Sequence, residues 1–188
     1  GFAADSEVEI EVALNERGFT GDALDAPKRP GTLRVLTLGG SVLFNRRFTE
    51  RFEAALAEAA PVPVEVLGAA LRAHTSWSSV HKWDLLAPLG FDVVVVNHGI
   101  NDLYANHVAP ADFRRDYGHL EPWYVRGWLL DRSLVARTLY NELLWRAPER
   151  VPTGSGFRSA EVLRANLARL VDEVRAAGAT PVLMSFAW

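Results

Sequence analysis

The sequence contains no cysteine and a single methionine among its 188 residues. The absence of cysteine excludes disulfide bonds, thiolate metal sites and a cysteine nucleophile. It leaves the cellular compartment open, because exported proteins do not require disulfides. The sequence also lacks an apolar run of the roughly 20 residues that a membrane-spanning helix needs. A membrane span within this chain is therefore not predicted.

The sequence also has no concentration of positive charge. Its formal net charge is −3, and its 20 Lys and Arg residues are scattered among 23 Asp and Glu residues. Nucleic-acid binding proteins carry a basic stripe or patch, so nucleic acid is not a predicted partner. Hydrophobic residues make up 49% of the chain, which is enough for one sizeable core in a domain of this length.

Short apolar segments alternate with amphipathic ones along most of the chain. The apolar segments predict strands at residues 33–38, 64–67, 91–96 and 181–184. The amphipathic segments between them predict helices at residues 48–59, 78–86 and 160–177. Strands of continuous valine are typical of parallel sheets that helices cover on both faces. The pattern predicts an α/β, doubly wound domain with a mostly parallel sheet.

Two regions lie outside this alternation. Residues 1–31 are rich in turn-forming residues and are predicted to form an N-terminal arm packed on the domain of residues 32–188. Residues about 108–158 form an insertion with helix-forming segments and four large aromatic residues, which are Trp123, Tyr124, Trp128 and Trp145. This insertion either forms a lid over a site or simply covers the edge of the sheet.

Ser41 follows the first predicted strand and the glycines Gly39 and Gly40. Ligands bind beyond the carboxyl ends of parallel strands, so this loop is a candidate site. Glycines allow a sharp turn that would expose the Ser41 hydroxyl, as a nucleophile requires. The alternative is that Ser41 caps the next helix by accepting a bond from a helix amide.

The loop after the third predicted strand contains Gly99, Asn101 and Asp102. The side-chain amide of Asn101 would donate to a developing oxyanion, and Gly99 would permit the turn that aims it. The structural alternative is an ordinary turn stabilised by side-chain bonds of Asn101 or Asp102.

These two loops resemble motif blocks of the SGNH/GDSL hydrolase family, over roughly residues 15–188. Val35 to Val42 is similar to the nucleophile block in its Gly-Gly-Ser form, and Val94 to Leu103 is similar to the Gly-x-Asn-Asp block. The resemblance implies a flavodoxin-like three-layer architecture and an ester hydrolase with Ser41 as nucleophile. It implies that the Ser41 amide and the Asn101 side chain belong to the oxyanion hole. Gly40 and Gly99 would support the two loops, and Asp102 would orient its own loop.

The chain departs from the family pattern in two places. Ala70 stands where the second block normally carries the oxyanion glycine, and its amide still serves as a donor if the backbone there needs no positive φ. The family's Asp-x-x-His block is expected beyond the strand near Val182, and no match to it precedes Trp188. The sequence therefore predicts a fragment that lacks the general-base histidine and its aspartate, and that is nearly inactive alone.

The histidines within the chain are weaker candidates for the general base than the histidine of an Asp-x-x-His block. His98 adjoins the Gly-x-Asn-Asp motif, but a histidine at a strand end is more often a structural residue or a substrate contact. No spacing of His, Asp and Glu matches a metal site, and the resemblance implies no cofactor.

The sequence thus predicts cleavage of acyl esters on small-molecule, glycan or lipid substrates. Acyl transfer to a glycan hydroxyl is an alternative that uses the same residues, and a non-catalytic glycan-binding or assembly module is another. A nucleotide-binding domain is disfavoured, because Gly39-Gly40-Ser41 has neither the dinucleotide glycine pattern nor a P-loop lysine. The family resemblance implies a location in the cell envelope or outside the cell. The sequence predicts neither the identity of the substrate nor the oligomeric state.

Overall fold

The architecture was obtained as a computed structural model, which describes residues 14–21, 24, 28–44, 46–151 and 156–185. Its centre is a five-stranded sheet in the order β1-β3-β2-β4-β5. The strands are β1 (Thr20–Gly21), β2 (Leu33–Gly39), β3 (Val64–Gly68), β4 (Val93–Asn97) and β5 (Thr180–Leu183). Strands β3, β2, β4 and β5 run parallel to one another, and β1 pairs antiparallel with β3. The mostly parallel sheet predicted from the sequence is confirmed.

The described residues form six α-helices. They are α1 (Arg46–Ala59), α2 (Ser76–Leu86), α3 (Ile100–Tyr104), α4 (Trp128–Arg132), α5 (Leu134–Leu139) and α6 (Arg158–Ala176). Short 3₁₀ turns at Ala87–Leu89 and Pro122–Tyr124 and a π-helical turn at Tyr140–Leu144 complete the described elements. None of the described helices is both long and apolar enough to cross a membrane.

Helices cover both faces of the sheet, as the buried valine runs require. On one face, Phe52 and Leu56 of α1 pack against a cluster of Val35, Val66 and Val95. The other face carries the larger core, in which side chains of β2, β3 and β4 meet those of α2 and α6. Alternate side chains of a strand point to opposite faces, so each central strand contributes to both clusters. The doubly wound α/β class is confirmed.

The N-terminal arm adds a strand to this sheet within its described part. Thr20 pairs with Gly68, and its hydroxyl donates to the Gly68 carbonyl at 2.9 Å. A strand of two residues has too little pattern for sequence-based detection. Residues 1–13, 22, 23 and 25–27 of the predicted arm lie outside the described residues.

The insertion between β4 and α6 contains α4, α5 and the π-helical turn. A bridge between Val108 and Arg150 joins its two ends. Trp145 donates from Nε1 to the Gly118 carbonyl within the insertion, whereas Trp128 is 73% exposed. The hydroxyl of Tyr124 donates to the carbonyl of Ala73, in the loop after β3. The insertion therefore borders the ends of the central strands. The predicted loop at residues 152–156 lies mostly outside the described residues.

Candidate active site

The sheet order defines one point at which neighbouring strands continue in opposite directions. The chain passes from β2 to β3 on one side, and then returns across β2 to β4 on the other. Ligands in open α/β sheets bind at such a switch point, beyond the carboxyl ends of the two strands. Gly39 and Asn97 are paired there as the last residues of β2 and β4. The loops that begin at Gly40 and His98 therefore enclose the expected site.

Ser41 lies on a turn directly beyond β2. The amides of Leu43 and Phe44 both donate to the Gly40 carbonyl at 3.2 Å, which closes the turn around Ser41. Gly40 is buried, and Ser41 is exposed. Helix α1 begins only at Arg46, so Ser41 does not cap it. The turn presents the hydroxyl at the switch point, where a nucleophile would meet a substrate.

Asn101 lies against this turn. A Cβ atom added to Gly40 would come within 2.6 Å of Asn101 Nδ2 and 3.2 Å of the His74 carbonyl oxygen. Only a glycine at position 40 allows this approach, because any side chain there would displace the Asn101 amide. Asn101 Nδ2 donates to the His74 carbonyl at 2.9 Å. The bond joins the loop after β4 to the loop after β3, so it is not the local turn bond that was the alternative for this motif.

Gly99 sets the direction of the Asn101 loop. Its φ of 152° and ψ of −60° lie in a region that side-chain-bearing residues avoid. The carbonyl of Gly99 then accepts the Leu103 amide at 2.8 Å and starts the short helix α3. Gly99 thus turns the chain from β4 into a helix whose first turn carries Asn101.

Ala70 occupies its position without backbone strain. Among the described non-glycine residues only Ala73 and Tyr117 have a positive φ, so the conformation at Ala70 does not demand glycine. The flanking amides of Ala69 and Leu71 donate to the carbonyls of Thr37 and Gly39. The Ala70 amide itself has no hydrogen-bond partner in the part of the chain that the structure describes. The Ala70 amide is therefore available to donate to a bound group.

Asp102 ties the Asn101 helix to α2. Its carboxylate is fully buried and accepts the Ser76 amide at 3.1 Å and the Ser76 hydroxyl at 2.5 Å. The Ser76 hydroxyl also accepts a bond from Asn166 Nδ2 at 2.9 Å. Burial raises the pKa of Asp102, and the bonds from Ser76 counteract that shift. Asp102 points into the core, so its contacts are those of a residue that holds the loop in place.

His98 is enclosed beneath the site. Its side chain is 1% exposed, Nε2 lies 2.6 Å from the Ser79 hydroxyl, and Nδ1 lies 3.9 Å from Asp102. Burial, followed by the charges of Lys82 and His74, lowers the pKa of His98 to about 3. Both ring nitrogens face buried neighbours, so His98 is a structural histidine here. None of the chain's five histidines, all of which are described, has a hydrogen bond with Ser41.

Lys82 lies next to the candidate site, although the sequence did not predict it there. Its side chain is buried, and Nζ donates to the Ala69 carbonyl, next to the candidate donor Ala70. Burial lowers the pKa of Lys82 to about 7, and burial together with the Lys82 charge lowers the pKa of His74 to about 4. A lysine within an amphipathic helix normally indicates a solvated face. Its burial follows from the packing of α2 beneath the β3 loop, which no local pattern encodes.

Two spaces adjoin these loops. A shallow depression of about 30 Å³ lies over Ser41 and is lined by the turn at Gly40 and the loop from Asn97 to Asn101. A larger cleft of about 420 Å³ lies on the other side of His74. It is bounded by the β3 loop, by α2 and by the 3₁₀ turn of the insertion. The volume of the cleft lies within the range of small-ligand sites.

Comparison with known proteins gives matches in structure only. No family model and no curated protein sequence matches the chain. Among solved structures, TesA is 16% identical with a TM-score of 0.44, over 82% of this chain and 61% of TesA. The acetylxylan esterase Axe2 from Geobacillus stearothermophilus is 15% identical with a TM-score of 0.44, over 81% of this chain and 58% of Axe2. The esterase EstA from Pseudoalteromonas sp. is 16% identical with a TM-score of 0.37, over 81% of this chain and 76% of EstA.

The chain thus spans about three fifths of the length of TesA and Axe2. At TM-scores below 0.5 and identities of 16% or less, the likeness by itself establishes neither the fold nor the substrate. The α/β class rests on the strand order and on the helices that cover both faces of the sheet.

Proposed function

We propose that this chain carries the nucleophile and oxyanion hole of a serine hydrolase that cleaves acyl esters. The observation that supports this most directly is the placement of the exposed Ser41 on the turn at the switch point, with the Asn101 amide packed against Gly40. The resemblance to the SGNH/GDSL motif blocks assigns the same two residues to the same chemistry. The geometry and the motif pattern are separate lines of support.

In the proposed reaction, Ser41 Oγ attacks the ester carbonyl carbon and its proton passes to a base. The carbonyl oxygen becomes an oxyanion, which accepts hydrogen bonds from Asn101 Nδ2 and from the amides of Ser41 and Ala70. The bond to the alcohol oxygen then breaks, and the alcohol leaves with the proton. Water adds to the acyl-serine in the same manner, which releases the acid and restores Ser41.

Neither of the two buried basic residues near the candidate site, His98 and Lys82, is placed to act as the base of this reaction. His98 is unsuited, because burial lowers its pKa and its ring faces Ser79 and Asp102. Lys82 is unsuited as arranged, because Nζ is directed at the Ala69 carbonyl. We propose that a histidine of an Asp-x-x-His block supplies the base in the complete protein, as the family resemblance implies.

The test is covalent labelling with a fluorophosphonate, which reacts with activated serines. The protein expressed from its complete gene should gain one adduct on Ser41, located by peptide mass spectrometry. The Ser41→Ala variant should gain none, and Ser133→Ala, which removes a helix-capping serine in the insertion, should label like the wild type. Residues 1–188 expressed alone should label far more slowly. The proposal fails if the complete protein is folded and Ser41 stays unlabelled.

A further inference from the structure

The large cleft beside Asn101 carries an excess of positive charge in a chain whose net charge is −3. Three of its lining residues are cationic types, Arg72, Lys82 and Arg126, and one is acidic, Glu121. Burial keeps the histidines that line it, His74 and His81, at lowered pKa values. The cleft therefore has one or two uncompensated positive charges at neutral pH.

Little within the protein neutralises these cations. Arg72 is exposed and has no ion pair with any residue that the structure describes. Arg126 lies 3.3 Å from Asp131, but Asp131 also pairs with Arg137 at 3.1 Å, so one carboxylate serves two guanidinium groups. Lys82 donates to a neutral carbonyl. Clustered like charges raise the energy of the free protein, and an anionic ligand relieves that repulsion.

The wall of the cleft is held in a fixed conformation. Ala73, between Arg72 and His74, has a φ of 59°, which costs energy for a residue other than glycine. Such strain persists only where neighbours enforce it. Here the hydroxyl of Tyr124 donates to the Ala73 carbonyl and accepts a bond from the Ser78 hydroxyl, both at 3.2 Å. The insertion therefore clamps the segment that presents Arg72.

One residue, His74, contacts both the cleft and the candidate oxyanion site. His74 lines the cleft, and its carbonyl accepts the bond from Asn101. The same carbonyl lies 3.2 Å from the position that a Cβ on Gly40 would take. A substrate that spans His74 would place one group over Ser41 and another in the positively charged cleft.

We propose that this cleft binds a carboxylate on the ester substrate, so that the enzyme acts on esters of acidic molecules such as acylated uronic acids. As a statement about substrate, this inference rests on the proposed function. Arginine forks hold a carboxylate through two parallel hydrogen bonds, and a singly charged group matches the small charge excess better than a dianionic phosphate does. The volume of about 420 Å³ is of the size of sites for small ligands.

The test measures binding calorimetrically with sugars that differ in one group. Methyl glucuronide supplies the carboxylate, methyl glucoside is its neutral counterpart, and methyl glucoside 6-phosphate supplies the alternative anion. The wild type should bind the glucuronide at least about tenfold more tightly than the glucoside, which corresponds to about 1.4 kcal/mol. That preference should weaken between low and high salt, because the charges are partly exposed.

The variants Arg72→Gln, Arg126→Gln and their combination should lose the preference stepwise. Arg51→Gln, an exposed arginine of α1, is the matched control and should retain it. Equal binding of glucuronide and glucoside by the wild type would overturn the proposal, and so would a preference that survives in the double variant. Tighter binding of the phosphate sugar than of the glucuronide would overturn the carboxylate assignment.

Fluorophosphonate labelling of the same proteins separates the two claims. All cleft variants should still label on Ser41, because none of them alters the nucleophile or the oxyanion donors. Labelling without carboxylate preference means that the cleft inference is wrong and the hydrolase proposal stands. Carboxylate preference without labelling means that the hydrolase proposal is wrong and the cleft is an anion-binding site of another kind.

Discussion

The side-chain amide of Asn101 donates to the carbonyl oxygen of His74 at 2.9 Å, and this bond joins the loops that follow β4 and β3. An asparagine amide carries two hydrogens, and this bond uses one of them. The second has no acceptor among the described residues. Asn101 is therefore fixed in orientation before any substrate binds, which is the property that an oxyanion donor needs.

Under the proposed mechanism, replacing Asn101 by alanine should lower kcat by about 10² to 10³, since that is the typical cost of losing one oxyanion donor. The Michaelis constant should change much less, because the donor acts mainly in the transition state. Steady-state hydrolysis of a p-nitrophenyl ester measures both values. A kcat within a few-fold of the wild type would remove Asn101 from the proposed oxyanion hole.

Replacing Gly40 by alanine should displace Asn101 without removing it. The new methyl group would lie 2.6 Å from Nδ2, which is closer than such atoms approach in proteins. A shift of about 1 Å in a catalytic group costs on the order of 10²-fold in rate. Gly127→Ala is the matched control, because its backbone is extended and the nearest atom lies 3.9 Å away. Equal rates for the two variants would contradict the packing described here.

Replacing Asp102 by alanine should destabilise the fold. The variant leaves the amide and hydroxyl of Ser76 without their buried acceptor. An unsatisfied buried donor costs about 1–3 kcal/mol, so urea denaturation should show a loss in that range or above. Asp112→Ala, at an exposed position, should cost much less. A loss no greater than that of the control would mean that Asp102 does not hold the two helices together.

Lys82 should make the stability of the protein depend on alkaline pH. Burial lowers its pKa from 10.5 to about 7, so between these values the unfolded chain holds a proton that the folded chain has released. The free energy of unfolding therefore rises with pH in this window, by at most about 1.4 kcal/mol per unit. Below pH 7 both states are protonated, and the full cost of the buried charge is present.

The Lys82→Met variant keeps the length of the side chain and removes the titrating group. Its free energy of unfolding should lack the Lys82 contribution, so the difference from the wild type should change steadily from pH 7 to 9.5. Urea denaturation at half-unit steps of pH measures this difference. Parallel curves for the two proteins would show that Lys82 is ordinarily solvated.

The sequence by itself determined the central elements and the candidate motifs. Continuous apolar strands and amphipathic helices are local patterns, so β2, α1 and α6 were predicted to within a few residues of their bounds. The carboxyl ends of parallel strands share one edge of a sheet. The sequence could therefore place Ser41 and Asn101 at the same edge before any coordinates existed.

Only the tertiary structure decided which side chains meet. Three contacts join residues from separate elements. Lys82 is buried against the Ala69 carbonyl, Asn101 donates to His74, and His98 is enclosed beside Ser79. The two-residue strand β1 forms by pairing with the edge of β3, because its own residues show no hydrophobic pattern that would predict a strand. The charged cleft forms where the β3 loop, α2 and the insertion converge. Such contacts depend on packing over long sequence separations, and periodicity reports only the local preference of the chain.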